Sequence, residues 1–186
     1  GVAQEYEAGG ARMISVLTES RRFGGSLADL HAVSAAVDIP VMRKDFLGSE
    51  YQIVEARAAG ADVVLLIMAG ITDERAERLL EVAREWEMQA LVEAHTAEEV
   101  DRAIAVGADI VGVNARDLAT FELNKDLFGQ MVPRFPDGVI RVAESAVAEA
   151  SDVARYRSQG AHAVLIGEAL VTGANPRERV KEFVAA

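Results

Sequence analysis

Ala59-Gly60-Ala61-Asp62-Val63-Val64-Leu65-Leu66-Ile67-Met68 sets the reading of the whole chain. The segment before it is amphipathic and rich in Ala, Glu and Arg, which suits a helix. Gly60 suits the residue just past a helix end, where the backbone turns left-handed and a side chain is a hindrance. The six apolar residues that follow are too few for a helix with this punctuation. They read as a strand buried on both faces, as in a parallel sheet.

The same phrase recurs along the chain. Ala8-Gly9-Gly10-Ala11 leads into Met13–Leu17, Val106-Gly107-Ala108-Asp109 into Ile110–Val113, and Gln159-Gly160-Ala161-His162 into Ala163–Ile166. Other helix-to-strand passages run through Asp38-Ile39-Pro40, Met88-Gln89 and Pro133 to Gly138. Seven strands are predicted at Arg12–Leu17, Val41–Arg43, Val63–Met68, Ala90–Val92, Ile110–Val113, Val139–Ala143 and Ala163–Ile166. Helices are predicted at Leu27–Val37, Ser49–Ala59, Asp73–Trp86, Ala97–Val106, Lys125–Val132, Ala148–Gln159 and Pro176–Ala185. Ser26, Thr72, Thr96 and Asn175 stand where N-caps belong, and Pro176 suits a first helical turn.

Alternating strands and helices with short links give a parallel sheet with right-handed crossovers. Seven units in 186 residues is about 26 residues per unit, the pace of a (β/α)8 barrel. The expected fold is α/β, a TIM barrel with seven β/α units present and the first strand missing. Residues 1–186 form one domain, truncated at its N-terminus and left with two unpaired sheet edges. A doubly wound open sheet is the other arrangement that this alternation permits.

Bulk composition excludes several classes. The chain is 51% hydrophobic, has no cysteine and carries a formal net charge of -11. No basic stripe exists for nucleic acid, no apolar run approaches a membrane span, and no thiolate is available as ligand or nucleophile. Without cysteines a reducing cytoplasm is the expected location. No phosphate-loop or dinucleotide glycine motif opens any helix. The three histidines, His31, His95 and His162, are scattered, so neither metal nor cofactor is expected.

Polar residues follow the apolar runs at their C-terminal ends: Lys44, Glu93, Asn114 with Arg116, and Glu144 with Ser145. A charge at the end of a buried strand costs several kcal/mol unless paired or wetted. In a barrel this end is the catalytic face, so these residues point to one shared site. Lysine there can act as an acid or pair with Asp45. Glu93 can act as a base or simply hold Lys44. Arg116 can grip a carboxylate or pair with Asp117 or Glu144. His95 is expected to turn away from Glu93 and pack or support it from behind. His31 and His162 are expected at the surface, and Trp86 between helix and sheet.

The ordered set of motifs resembles the indole-3-glycerol phosphate synthase family. It comprises Ser15-Val16-Leu17-Thr18-Glu19 with Phe23-Gly24-Gly25-Ser26, and Pro40-Val41-Met42-Arg43-Lys44-Asp45-Phe46. Tyr51-Gln52-Ile53 with Glu55-Ala56-Arg57 and Leu91-Val92-Glu93-Ala94-His95 follow. Gly112-Val113-Asn114-Ala115-Arg116-Asp117-Leu118, Ala143-Glu144-Ser145-Ala146-Val147 and Leu165-Ile166-Gly167-Glu168-Ala169-Leu170 complete it. The resemblance spans essentially the whole chain. Two departures stand out. The family's N-terminal segment, with a catalytic Lys and Glu and a Ser-Pro-Ser-Lys-Gly loop, is absent. Ala146 stands where the family has Gly.

The resemblance implies a decarboxylating, ring-closing lyase of tryptophan biosynthesis. Lys44, Glu93 and Asn114 would be catalytic, and Phe23, Arg116, Glu144 and Ser145 would bind substrate. The phosphate would rest on Ser145, Ala146, Gly167 and Glu168, the last through its backbone N–H. The partner is then a small anionic phosphorylated substrate. The parent protein would be a monomer, or fused to or working beside other enzymes of the pathway. An inactive barrel piece, or another phosphate-binding barrel such as phosphoribosylanthranilate isomerase, is the alternative. A chain lacking the first strand is expected to turn over poorly alone.

Overall fold

The computed structural model describes residues 1–186. Its strands are β1 (Ile14–Leu17), β2 (Val41–Lys44), β3 (Val63–Ile67), β4 (Gln89–Ala94), β5 (Ile110–Asn114), β6 (Ile140–Glu144) and β7 (Ala163–Leu165). They form one parallel sheet in sequence order, each strand bonded to the next. A doubly wound sheet reverses its order at a switch point, so that arrangement is excluded. The sheet curls as seven β/α units of a barrel, with β1 and β7 as its edges.

The helices are α1 (Val2–Ala8), α2 (Ser20–Phe23), α3 (Leu27–Ala36), α4 (Glu50–Ala58), α5 (Asp73–Glu85), α6 (Ala97–Ala105), α7 (Leu127–Met131), α8 (Ala150–Ser158), α9 (Glu168–Val171) and α10 (Pro176–Val184). Gly10, Gly60, Gly107 and Gly160 take φ of 103°, 103°, 89° and 107°, the left-handed turn that the repeated phrase requires. Ser26, Thr72, Thr96 and Asn175 each accept a backbone N–H from the third residue on. The short helices α1, α2 and α9 escape a reading based on apolar period, because none is long enough to show one.

Four strand ends shift with consequence. Lys44, Glu93, Asn114 and Glu144 lie within strands, not after them. The ladder bonds backbone groups and is indifferent to side-chain polarity, so a polar residue extends a strand wherever its side chain has a wet or partnered place. Strand period two then fixes where each points. Met42, Val63, Leu65, Leu91 and Val142 form a small core inside the barrel. Val41, Val64, Leu66, Val92, Val111 and Ala143 face the other way, into a larger core with Leu30, Ile53, Leu79 and Tyr156 from the helices. Trp86 is 47% exposed at the end of α5, not packed between layers.

The helical layer closes where the sheet does not. α1 packs on α10, with Arg177 Nε 3.0 Å from Glu5 Oε2. A Cβ at Gly9 would lie 2.7 Å from the Arg177 carbonyl oxygen, so only glycine permits this approach. Beneath the seam, a groove of about 310 Å³ runs along the free edge of β1, lined by Val2, Tyr6, Ser15, Leu17, Phe23 and Val33.

Candidate active site

Lys44 stands two residues beyond Met42, Glu93 two beyond Leu91, and Glu144 two beyond Val142, all interior positions. Period two therefore sends the three side chains inward at the C-terminal mouth. Asn114 joins them two residues beyond Gly112, whose absent side chain makes room for Glu144. A Cβ at Gly112 would sit 2.5 Å from Glu144 Oε2. Register aligns the group, with Glu93 opposite Gly112 and Asn114 opposite Glu144.

Glu93 and Glu144 are each only 2% exposed. Glu144 Oε2 is buried without a hydrogen-bond partner. Burial, and then the neighbouring Glu93 carboxylate, push the Glu144 carboxyl well above the usual range, while Lys44 opposes the shift.

The sign of the pH effect follows. The stability gained from keeping Glu144 protonated is complete below the ordinary carboxylate value of 4.5. It is lost as pH rises through the raised value. Glu144→Gln removes that loss. Melting curves across pH should show wild type falling behind Glu144→Gln as pH climbs; parallel curves would refute the raised Glu144 carboxyl.

Lys44 makes no ion pair within 4.0 Å, and its charge reaches Glu144 only through space. Asp45, its suggested partner, is occupied elsewhere. It accepts from Thr18 Oγ1 at 2.7 Å and from the Phe46 N–H at 2.7 Å, and meets Arg43 at 3.5 Å. Asn114 Oδ1 accepts from Ser145 Oγ at 2.8 Å and from the Arg116 N–H at 3.0 Å. This commits the carbonyl end of the amide and leaves its NH2 end for other work.

Arg116 departs from both expected pairings. Its Nη2 lies 3.3 Å from Glu168 Oε2, and its Nη1 donates to the Phe121 carbonyl at 3.2 Å. Asp117 instead caps its own turn through the N–H groups of Ala119 and Thr120. These backbone bonds hold its carboxyl low.

Ser145, Ala146, Gly167 and Glu168 gather at the ends of β6 and β7, where Glu144 pairs in register with Leu165. Ser145 and Ala146 both take positive φ, 68° and 57°. A side chain in this region costs roughly 1–2 kcal/mol, offset in part by the stiffer unfolded chain. Ala146→Gly should therefore stabilise the fold by about 0.5–1 kcal/mol in urea denaturation. A stability decrease would show that the methyl group, 8% exposed, packs better than its strain costs.

Phe23 lies apart from the buried group. It is 55% exposed and lines the groove at the β1 edge. Its short helix starts at Glu19, whose carboxylate accepts N–H groups from Arg21, Arg22 and Phe23. Those bonds hold the Glu19 carboxyl low. His31 and His162 are exposed, as expected.

His95 is the clearest correction. It does not turn away: its Nε2 is 3.3 Å from Glu93 Oε2. Residues two apart on an extended chain share a face, so the backbone delivers both to the same side. Sequence reasoning also missed Arg43, which points outward between β2 and α4. Its Nε donates to Thr18 Oγ1 at 2.9 Å, and its Nη1 to Glu55 at 2.9 Å and the Gln52 carbonyl at 3.0 Å. An arginine inside an apolar strand was the available signal, since a buried guanidinium requires several partners.

No helix is long and apolar enough to cross a membrane. Among solved structures, the chain resembles 3-hexulose-6-phosphate synthase with a TM-score of 0.80 and 19% identity, covering 99% of this chain and 90% of that one. It also resembles the N-acetylmannosamine-6-phosphate 2-epimerase from Clostridium perfringens, with a TM-score of 0.74 and 14% identity over 99% and 82% of the two chains. At such identities the likeness concerns the fold alone. Sequence relatives are much nearer. An indole-3-glycerol phosphate synthase of Leifsonia xyli is 59% identical over 98% of this chain and 70% of its own length. One from Nocardioides is 56% identical over the same shares. The family model for indole-3-glycerol phosphate synthase matches residues 1–183. With that match and those identities, the chain belongs to the indole-3-glycerol phosphate synthase family, enzymes of tryptophan biosynthesis.

Proposed function

We propose that the inward-facing ends of β2, β4, β5 and β6 carry the chemistry of a carbon–carbon lyase. The substrate is 1-(2-carboxyphenylamino)-1-deoxyribulose 5-phosphate. Its aryl carbon attacks the ketone carbon, carbon dioxide leaves, and water leaves to give indole-3-glycerol phosphate. The observation that carries this reading is an inward-facing Lys44, free of any ion pair, at the same barrel mouth as the buried Glu93 and Glu144 carboxyls.

Attack on the ketone builds negative charge on its oxygen, and Lys44 supplies the proton there. Glu93 stabilises the cation formed in the ring and takes up a proton during dehydration. Asn114 orients a substrate hydroxyl through its uncommitted NH2. Glu144 holds hydroxyls of the sugar chain. Arg116 exchanges its exposed Glu168 partner for the substrate carboxylate, an easy exchange because a surface pair is worth only about 0–1 kcal/mol. Backbone N–H groups around Ser145, Ala146, Gly167 and Glu168 receive the phosphate, and Phe23 gives the anthranilate ring an aromatic wall. A sugar-phosphate isomerase would ask for an Asp or Cys acid–base pair at strand ends, and the chain has no cysteine. The cysteine-free composition suits a reducing cytoplasm.

The test is indole fluorescence on adding the substrate, with Lys44→Met as the control. Turnover that Lys44→Met abolishes supports the reading; equal turnover by both overturns the assignment. With β1 and β7 unpaired, the isolated chain is read as a slower catalyst than its longer relatives.

A further inference from the structure

We infer that His95 is a positioning residue for Glu93, fixed from behind by Glu99 so that the Glu93 carboxylate stays turned toward Glu144. This inference rests on the proposed part of Glu93 in turnover.

The ring sits between two carboxylates. Nε2 is 3.3 Å from Glu93 Oε2 and Nδ1 is 3.5 Å from Glu99 Oε1. The three side chains are 9%, 3% and 15% exposed. Both ring nitrogens are buried and have no well-aligned partner within the chain. Whichever nitrogen carries a proton, a carboxylate oxygen faces it. Such contacts tighten when a substrate fills the mouth.

Glu99 is itself held firmly. It accepts the His95 backbone N–H at 3.0 Å and the Thr96 hydroxyl at 3.2 Å, while its own N–H donates to Thr96 Oγ1 at 3.1 Å. This is a reciprocal cap at the start of α6, so one anchored residue fixes both the helix and the imidazole. Asp117, from the segment after β5, bears on the ring only through space, its own carboxylate being held by the N–H groups of Ala119 and Thr120. Glu93 itself faces the barrel mouth, which it shares with the inward-pointing Glu144 and Lys44. A base oriented by a third group is the familiar logic of activated sites. Without the ring, nothing on the helix side restrains Glu93, and it is free to collapse onto Lys44 and neutralise the acid.

The experiment uses the full chain. His95→Leu fills the space without a donor, and His95→Asn and His95→Gln restore one. His95→Leu should lower kcat on the order of 100-fold, the effect of a misplaced catalytic group, with KM nearly unchanged. At least one amide variant should recover part of the loss. Wild-type kcat in His95→Leu, or a loss confined to KM, overturns the inference.

A second readout needs no turnover, so it still decides if the function proposed above fails. In protein carrying 15N-labelled histidine, Glu93→Gln and Glu99→Gln should each move the His95 ring resonances and leave His31 and His162 in place. Ring signals that ignore both substitutions overturn it.

Discussion

Replacing Lys44 with methionine is expected to lower kcat by about 1000-fold, within the 10²–10⁴ range for a positioned acid. Methionine keeps the apolar stem and removes only the ammonium. Lys44 makes no ion pair within 4.0 Å, so its loss strands no carboxylate and the fold should survive. The ammonium also opposes the upward shift of Glu144, so its removal pushes that carboxyl higher still. Substrate affinity should change little, because the ammonium matters most when charge develops on the ketone oxygen. Steady-state kinetics with circular dichroism as a folding control checks this. A variant within tenfold of wild type would remove Lys44 from the acid role.

Arg43→Met should produce the largest loss of stability, about 3–5 kcal/mol, the usual cost of removing one partner from a buried charged network. The side chain is 5% exposed and ties together three segments. Thr18 follows β1, Asp45 follows β2, and Gln52 with Glu55 belongs to α4. Methionine replaces the stem volume and abandons every one of these acceptors. Asp45 and Glu55 would then be left partly buried without their guanidinium. In thermal denaturation the loss should appear as a drop of roughly 10 °C for a domain of this size. A change under 1 kcal/mol would mean that Asp45 and Glu55 rehydrate freely, and that Arg43 only fills space.

Lys44 and Arg43 show what the sequence discloses and what it withholds. Lys44 was legible because a charge ending an apolar run has few tolerable places, and the mouth of a barrel is one. Glu93, Asn114 and Glu144 were legible on the same ground. The left-handed turns at Gly60 and Gly107 were legible because only local geometry is involved. Arg43 carries an equally improbable charge one residue earlier, yet its explanation lies in residues on other elements. Which partners a buried guanidinium collects is a matter of three-dimensional neighbours, not of spacing. The resting partner of Arg116 was hidden for the same reason: Glu168 lies 52 residues away, while the nearby Asp117 is engaged in its own turn. His95 failed differently. Period two had already placed it on the Glu93 face, and the error lay in applying the period, not in missing information. The family likeness supplied what no spacing could, the identity of the substrate.

The seam between α1 and α10 also bears on how the chain folds. Each strand pairs only with the next in sequence, so every ladder closes a loop one β/α unit long. The Glu5–Arg177 contact spans 172 residues. Closing so long a loop in an unstructured chain costs about 1.5 kcal/mol more than closing one unit. Neighbouring units therefore zip together first, and the seam joins last, when the growing curve of the sheet has already brought its ends into reach. The joint that completes the ring of helices contributes nothing to starting it and is also the first to open. Its opening also loosens the groove that Val2 and Tyr6 close over β1, so the kinetics of this one helix pair governs how long that groove lies open.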